Sequence, residues 1–305
     1  MLDFKPVTIE DKEVIQHFFN KADFRNCDFS FSNIFCWQNS YNTSFVVEDG
    51  ILFFLFKADG RWGYLFPLGD GDLKHAVERL NRDAGLRKIP LRIFAVTQKM
   101  YDLIEAQMPG EFVYKKDRSW SEYIYSSKDL IALTGKKYQP KRNHINKFMR
   151  SYAWEYLPIT REIIPDCLNL YRRWCAENGG CNNQQSLVEE HIATHRAFEH
   201  FEQLGLIGGA LRINGEILAY SYGQPLTKDT FGIHAEKSLY EIDGGFVMMN
   251  RQFAERNCAD YPYINREEDL GLESLRKAKL SYHPAILLEK GYLYRKNEPQ
   301  APSDL

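Results

Sequence analysis

The run LIGGALRINGEILAYSYGQ, residues 206–224, carries the strongest fold signal in the chain. It contains two strand-like segments, 206–213 and 216–224, which only Asn214 and Gly215 separate. Asn-Gly suits the positive φ angles of a type I′ turn, so the run predicts an antiparallel hairpin. An equivalent signal, Asp49-Gly50, separates the strand-like runs 43–48 and 51–57 in the first half of the chain.

Outward from this hairpin, helical and strand-like periodicities alternate. On its N-terminal side we predict a strand near 154–157 and helices at 161–177 and 186–203. On its C-terminal side we predict a strand at 230–236, a helix at 244–257, a strand at 261–265, a helix at 271–279 and a strand at 286–294.

The first half repeats this order of elements without repeating the residues. We predict helices at 8–22, within 28–40, at 71–84 and at 98–107, and strands at 43–48, 51–57, 62–66, 91–95, 112–116 and 120–125. The repeated order indicates two similar α+β domains, each a mixed, mostly antiparallel sheet flanked by helices. We place them at 1–130 and 151–305, with a basic junction helix at 131–150.

Composition limits the classes of function. The chain has 305 residues, 39 basic against 41 acidic, so a general electrostatic attraction to nucleic acid or anionic lipid is not expected. The longest apolar run, 51–56, is far shorter than the roughly 20 residues that cross a bilayer. Six irregularly spaced cysteines without a Cys-x-x-Cys pair favour reduced thiols. We therefore expect a soluble, cytoplasmic protein.

One segment departs from this balance. GKKYQPKRNHINKFMR, 135–150, holds six Lys or Arg and no acid. Pro140 suits the first turn of a helix, whose outer face would be basic. This face is either solvated or a clamp for phosphates; the candidate donor-binding residues on it are Lys137, Lys141, Arg142, Asn143 and Lys147.

A strand, a glycine turn and a helix at 230–257 match the arrangement by which GNAT-type acyltransferases bind the diphosphate of an acyl-CoA. The turn here, EIDGGF at 241–246, keeps Gly244 but carries Glu241 and Asp243. Two carboxylates repel a diphosphate, so binding of acyl-CoA in the usual way is disfavoured.

Three strings resemble a bacterial family grouped with the C-terminal domain of phosphatidylglycerol lysyltransferase: GKKYQPKRNHINKF (135–148), HAEKS (234–238) and YINREEDLGLESLRKAKLSYHP (263–284). This resemblance implies two GNAT-like domains in tandem, related to the Fem-type transferases. Those enzymes use aminoacyl-tRNA as the acyl donor in place of acyl-CoA. VMMNR, 247–251, echoes the family's Asp-Leu-Met-Arg helix only loosely and lacks the acid.

The resemblance also implies a role for one lysine. Leu275, Lys279, Tyr282 and Pro284 resemble the Leu-x-x-x-Lys-x-x-aromatic-x-Pro ending of the synthase, whose lysine is held to assist acyl transfer. A cation there would stabilise the negative charge that develops on the carbonyl and ribose oxygens.

Other candidate site residues come from the predicted helix at 271–279 and from the strands predicted before it. Glu267 is our first choice of general base and Glu236 the second, because a carboxylate at a strand end can accept the proton of an acceptor amine. Arg266 and Arg276 are candidate anion ligands. His234 is either a catalytic residue or an ordinary sheet histidine.

His191 and His195 have metal-ligand spacing on a predicted helix, but no third ligand is evident, so we predict no metal. A Gly-x-Ser-x-Gly elbow, a P-loop and a Rossmann fingerprint are missing from the sequence.

The sequence thus predicts an acyltransferase without a bound cofactor, whose donor is aminoacyl-tRNA in preference to acyl-CoA. The acceptor would be a small molecule, a peptide or a lipid headgroup. Two alternatives stay open: a non-catalytic tRNA- or RNA-binding module on the same fold, and an acyl-CoA-dependent N-acetyltransferase.

Overall fold

The fold is that of a computed structural model, which describes residues 1–58, 60–179 and 185–297. The chain forms two compact units. Unit 1 contains residues 1–122, 268–272 and the chain from 288 onward, and unit 2 contains residues 123–267 and 273–287. Each unit is a mixed sheet flanked by helices.

The strands of unit 1 are β1 (Lys5–Pro6), β2 (Ser44–Glu48), β3 (Ile51–Ala58), β4 (Arg61–Leu65), β5 (Leu68–Gly69), β6 (Arg92–Thr97), most of β7 (Phe112–Ser126) and most of β13 (Ile286–Arg295). They follow the order β1-β2-β3-β4-β6-β13-β7, with β5 paired to β3. The pairs are antiparallel for β1–β2, β2–β3, β3–β4, β3–β5 and β6–β13, and parallel for β4–β6. Its helices are α1 (Lys12–Ala22), α2 (Phe31–Cys36), α3 (Gln38–Tyr41), α4 (Leu73–Arg87) and α5 (Gln98–Gln107).

The strands of unit 2 are β8 (Trp154–Pro158), β9 (Ile207–Ile213), β10 (Glu216–Pro225), β11 (Thr230–Ser238) and β12 (Tyr263–Glu268). They follow the order β12-β11-β10-β9-β8, and all pairs are antiparallel except the parallel pair β11–β12. Its helices are α6 (Ser127–Ala132), α7 (Gln139–Ser151), α8 (Ile164–Glu177), α9 (Gln185–Glu199), α10 (Phe201–Leu204), α11 (Gly245–Asn257) and α12 (Glu273–Leu280).

Both predicted hairpins form. Asn214 and Gly215 have φ angles of 52° and 94°, and Asp49 and Gly50 have φ angles of 52° and 72°. Positive φ at both central residues is what a type I′ turn requires, and Asn, Asp and Gly tolerate it best.

The sheet of unit 2 is covered by helices on both faces. Phe198 of α9 meets the rings of Tyr220 and Tyr222 of β10 edge to face, with ring centroids 5.4 Å apart in each pair. Phe253 of α11 packs against Phe231 of β11 at 5.9 Å. Because successive residues of a strand point to opposite faces, β11 presents side chains both to α8 and α9 and to α11.

Four cysteines, Cys27, Cys36, Cys167 and Cys258, are buried free thiols, as expected. Cys175 is disulfide-bonded, so the expectation of reduced thiols is wrong at that position. Cys181 lies outside the described residues. Within the described part of the chain, no helix combines the length and apolar character needed to span a bilayer.

Candidate functional site

An ion pair lies at the centre of the candidate site, on the face of the unit 2 sheet that α11 covers. Nη2 of Arg266 on β12 is 3.0 Å from Oε1 of Glu236 on β11, and the two side chains are only 13% and 10% exposed. The other oxygen of Glu236, Oε2, accepts a hydrogen bond of 3.0 Å from Asn250 on α11. Neighbouring strands and the helix above them thus position one buried carboxylate.

Two aromatic rings flank the Arg266 guanidinium. Its Cζ lies 4.8 Å from the ring centroid of Tyr282 and 5.6 Å from that of Tyr125. Burial lowers the pKa of Arg266, but Glu236 and the tyrosines raise it more, so the net shift is upward and the side chain stays charged. Its Nη1 is buried and has no hydrogen-bond partner among the described residues, which leaves donor capacity for an anion.

A second cation lies against the same ring. Lys141 of α7 donates a hydrogen bond of 2.7 Å from its Nζ to Ser281, and this Nζ is 3.8 Å from the ring centroid of Tyr282. Burial, followed by the charge of Arg266, lowers the pKa of Lys141 to about 8. A cation whose proton affinity is lowered by a neighbouring cation marks a favourable place for an anion.

His234 and Glu267 form a second pair in unit 2. Nδ1 of His234 lies 2.9 Å from Oε1 of Glu267, and the histidine side chain is buried while that of Glu267 is 22% exposed. Glu267 has a φ of 58°, which is uncommon for a residue with a side chain. Its N–H donates to the Asn265 side chain at 2.8 Å. A carboxylate held in this geometry beside an imidazole can accept a proton.

Lys279 is buried beneath this strand end. Its ammonium donates to the main-chain carbonyls of Arg266 and Glu267, the second bond being 3.1 Å long. The hydroxyl of Tyr125 donates in turn to the carbonyl of Lys279 at 2.8 Å. Lys279 therefore positions the backbone that carries Arg266 and Glu267.

The other residues predicted to bind the acyl donor lie apart from Arg266, Lys141 and Glu236. Lys147 of α7 pairs with Asp243 at 2.5 Å, and His144 lies 3.5 Å from the same carboxylate. The hydrogen bond from Lys147 holds the pKa of Asp243 below its ordinary value. Arg142 donates to the carbonyls of Leu133 and Gly135 and so closes the turn after α6.

Lys137 lies 3.6 Å from Asp129 and 4.8 Å from the ring centroid of Tyr138. Asn143 is exposed on α7, and Arg276 is half-buried on α12. Of the predicted cations of α7 and the turn before it, only Lys141 lies with Arg266 against the ring of Tyr282.

The acidic turn before α11 is neutralised by partners in unit 2. Glu241 pairs with Arg173 at 3.0 Å, and Asp243 pairs with Lys147. Gly244 has a φ of 79°, and a Cβ there would lie 2.8 Å from the carbonyl oxygen of His144. Glycine is therefore required where this turn meets α7.

Sequence reasoning missed the contributions of Asn250, Tyr125 and Ser281. Asn250 is a fully buried polar residue on α11, and a polar residue on the inner face of a helix is a signal that could have identified it. Tyr125 lies near the end of the long strand β7 and gave no such signal.

Unit 1 contains a different buried ionic group. The ligand atoms of Cys27, Asp28, Glu122 and Glu268 lie within 4.8 Å of one another. The Lys290 ammonium lies 2.5 Å from a carboxylate oxygen of Asp28, of Glu122 and of Glu268. Burial, with Glu268 and Asp28, raises the pKa of Glu122 to about 8 although Lys290 opposes the shift. Lys290 supplies the cation of this group, so its geometry suits an internal ion pair better than a metal ion.

The architecture of unit 2 is that of a GNAT-like acyltransferase fold: a strand, helices, three antiparallel strands, a helix that starts at a glycine turn, a parallel strand and a helix. Residues 19–295 match the sequence profile of a family described as phosphatidylglycerol lysyltransferase, C-terminal. The chain belongs to this family, and the family resemblance seen in the sequence is confirmed.

Solved structures confirm the fold. A conserved protein of unknown function from Bacteroides thetaiotaomicron is 45% identical, with a TM-score of 0.92 over 97% of this chain and 100% of that one. L-PGS from Bacillus licheniformis is 16% identical, with a TM-score of 0.63 over 95% and 93% of the two chains. FemX is 9% identical, with a TM-score of 0.61 over 97% and 98%. The last two similarities show the fold alone.

An uncharacterized protein from Mycoplasmoides gallisepticum is 24% identical over 177 residues, which make up 56% of this chain and 55% of the relative. The chain thus spans about half the length of the curated relative it matches. Family and fold together indicate an acyltransferase-like domain.

Proposed function

We propose that this protein transfers an aminoacyl group from tRNA to an amine or hydroxyl acceptor. The observation that carries the proposal is the pair of cations, Lys141 and Arg266, that lies against the ring of Tyr282 with Glu236 as the neighbouring carboxylate. Two positive charges against one negative charge leave an excess that suits an anionic group or a developing oxyanion.

The proposed reaction is a direct acyl transfer. The acceptor nitrogen or oxygen attacks the ester carbonyl carbon of the aminoacyl-tRNA, and a new bond to the acceptor forms. The bond from this carbon to the ribose oxygen then breaks. Glu267 takes the proton that the acceptor loses and returns it to the ribose oxygen, which leaves as a hydroxyl.

In this proposal His234 orients Glu267 through their hydrogen bond of 2.9 Å. Glu236 is the second candidate for the base, but Arg266 and Asn250 already engage both of its oxygens. The role that the family resemblance gives to Lys279, stabilising the developing charge, stays a prediction. Its hydrogen bonds to two backbone carbonyls support a positioning role for it as well.

Aminoacyl-tRNA is preferred to acyl-CoA because the turn before α11 is acidic. Glu241 and Asp243 are each paired with a cation, so a diphosphate at this turn would have to compete with them for Arg173 and Lys147. Lys141 donates to the hydroxyl of Ser281. Arg266 keeps Nη1 without a partner among the described residues although its Nη2 is paired with Glu236, so one carboxylate faces two cations here.

The test is a titration of labelled aminoacyl-tRNA and of deacylated tRNA at several salt concentrations. If about four phosphates are neutralised, log K should fall with log salt at a slope of about −3. Lys141→Gln should weaken binding, whereas Lys228→Gln, on the exposed turn between β10 and β11, should not.

Three other outcomes decide between the alternatives. Equal affinity for charged and deacylated tRNA, with no transfer, would favour a non-catalytic RNA-binding module. Thermal stabilisation by millimolar CoA would favour an acyl-CoA-dependent enzyme. Absence of tRNA binding at low salt would contradict the proposal.

A further inference from the structure

A second group of polar side chains is buried in unit 2, on the other face of its sheet. Lys237 follows Glu236 on β11, and consecutive strand residues point to opposite faces. Tyr220 of β10 is its direct partner across the strand pair, so both side chains lie on the face covered by α8 and α9. We call this group the α8–α9 cluster; its members are Tyr171, Trp174, Glu190, His191, His195, Tyr220 and Lys237.

Close contacts make the cluster continuous. Nζ of Lys237 lies 3.5 Å from the ring centroid of Trp174 and donates a hydrogen bond of 2.6 Å to Glu190. The ring of Tyr171 stacks on Trp174 at 6.0 Å and on His191 at 5.8 Å. The rings of His191 and His195 are 4.3 Å apart.

Five polar atoms of the cluster are buried and have no hydrogen-bond partner within the described ranges 1–58, 60–179 and 185–297. They are the hydroxyl oxygens of Tyr171 and Tyr220, Nε1 of Trp174, Nδ1 of His191 and Nε2 of His195. A buried polar group without a partner is costly, and folded proteins contain few of them. Tyr220 is completely buried, so bulk solvent does not reach it. Five such atoms in one cluster indicate that they bind atoms from outside the chain.

The unpaired atoms favour a ligand that accepts hydrogen bonds. An indole nitrogen can only donate, a tyrosine hydroxyl can donate, and a lysine ammonium has three N–H groups of which Glu190 takes one. Burial, with the charges of His191 and Arg172, lowers the pKa of His195, so its ring is neutral at neutral pH and can also donate from one nitrogen.

Charge limits the ligand further. The cluster contains one ammonium, Lys237, and one carboxylate, Glu190, in direct contact. A phosphate dianion would face Glu190 with too little positive charge around it, whereas a single carboxylate adds one negative charge that several donors can share. Lys290 in unit 1 shows that one buried ammonium of this protein holds more than one carboxylate.

We propose that the α8–α9 cluster is a binding site for a small monocarboxylate, which accepts hydrogen bonds from Lys237, Trp174 and Tyr220. The site is separate from the Glu236–Arg266 cluster, and its existence does not depend on the proposed acyl transfer.

The indole N–H resonance of Trp174 tests the proposal directly. The chain has five tryptophans, so a two-dimensional ¹H–¹⁵N spectrum shows five indole signals, and Trp174→Phe identifies the one that disappears. Acetate should shift the Trp174 signal saturably while the other four stay in place. Sodium chloride, inorganic phosphate and glycerol serve as comparison solutes. The two salts are used at the ionic strength of the acetate samples.

Tyr220→Phe removes one donor and should weaken acetate binding about tenfold, the usual effect of a lost hydrogen bond to a charged group. Trp62→Phe in unit 1 is the matched control and should leave the affinity unchanged. If Tyr220→Phe fails to fold, the titration of the unaltered protein still decides the question.

If the chemical shift of the Trp174 signal does not change with acetate at tens of millimolar, the proposal is overturned. Ordered water would then be the partner of the unpaired atoms. A response to phosphate or glycerol but not to acetate would overturn the assigned chemical class. Equal shifts of all five indole signals would show a general salt effect and would also overturn it.

Discussion

Lys141 is the residue whose charge the candidate site controls most directly. Burial and Arg266 lower its pKa to about 8, so the ammonium form predominates at neutral pH but is lost as the pH rises through this value. Its contact with the Tyr282 ring and its bond to Ser281 hold the ammonium near Arg266. A bound anion would favour the protonated form and raise this pKa.

The first prediction concerns the pH dependence of tRNA binding. Lys141 loses its proton as the pH rises through its lowered pKa, so anion affinity is full below about pH 8 and is lost above it. We expect wild-type affinity to fall about tenfold between about pH 7 and about pH 9. Lys141→Arg should abolish most of this change because a guanidinium stays charged, whereas the control Lys228→Gln should retain it. Binding by Lys141→Arg that still falls tenfold would show that another group titrates.

The second prediction concerns Lys290. Replacing it by Met leaves the carboxylates of Asp28, Glu122 and Glu268 buried around an apolar side chain. Breaking a buried ion pair from one side typically costs about 3–5 kcal/mol in the free energy of unfolding, which urea denaturation measures. Lys116→Met removes the exposed pair with Glu289 and should cost less than about 1 kcal/mol. Equal losses for the two variants would contradict the central role of Lys290.

At the scale of the elements, helix α11 packs on the sheet of unit 2, and the turn before it contacts the basic helix α7. It begins at Gly245, after Gly244 in the left-handed region, and its Asn250 holds Glu236. The contact of Gly244 with the His144 carbonyl places α7 close to this turn. The position of Glu236 therefore depends on how α11 begins.

Gly244→Ala tests this dependence. Alanine at a positive φ costs about 1 kcal/mol, and a Cβ at 2.8 Å from a carbonyl oxygen adds about 1–2 kcal/mol of overpacking. Gly110→Ala is the matched control, since its φ of 73° is similar but no atom lies within 4 Å of the added Cβ. Thermal denaturation should show the larger loss at Gly244. A loss no greater than that at Gly110 would mean that α7 and the turn move apart freely.

The elements themselves could be predicted where local chemistry decides them. Asn214-Gly215 and Asp49-Gly50 specify their turns, and the helix predicted at 98–107 begins and ends where the structure has it. The predicted strands 112–116 and 120–125 are one continuous strand, because pairing with neighbours overrides the polar residues between them.

The site was predictable only in part. Glu236, Arg266, Glu267, His234 and Lys141 were named from residue type and position, and the structure brings them into two contacting groups. Which partner each takes depends on strand register and on side chains far away in sequence, such as Asn250 and Tyr282. Single-sequence periodicity contains no information about those contacts.

At the scale of the whole molecule, each unit has a buried ionic centre of its own. Unit 1 holds Lys290 with three carboxylates, an arrangement in which the ammonium is fully engaged. Unit 2 holds Arg266 and Lys141 with Glu236, an arrangement with positive charge to spare. This difference is why we assign the anionic donor to unit 2.

The family places this assignment in context. The chain matches the phosphatidylglycerol lysyltransferase C-terminal family over residues 19–295 and shares its fold with L-PGS and FemX. A fold supports many chemistries, so the donor and the acceptor have to be established by experiment.

The most direct measurement is transfer from tRNA itself. Total bacterial tRNA charged with radiolabelled amino acids is incubated with the protein and with a bacterial extract containing small molecules, peptides and lipids. Our account predicts that label leaves the tRNA and appears in an acceptor, and that Glu267→Gln slows this transfer at least about tenfold while tRNA affinity is unchanged. Label that stays on the tRNA although the protein binds it, or transfer at the wild-type rate by Glu267→Gln, would contradict the account.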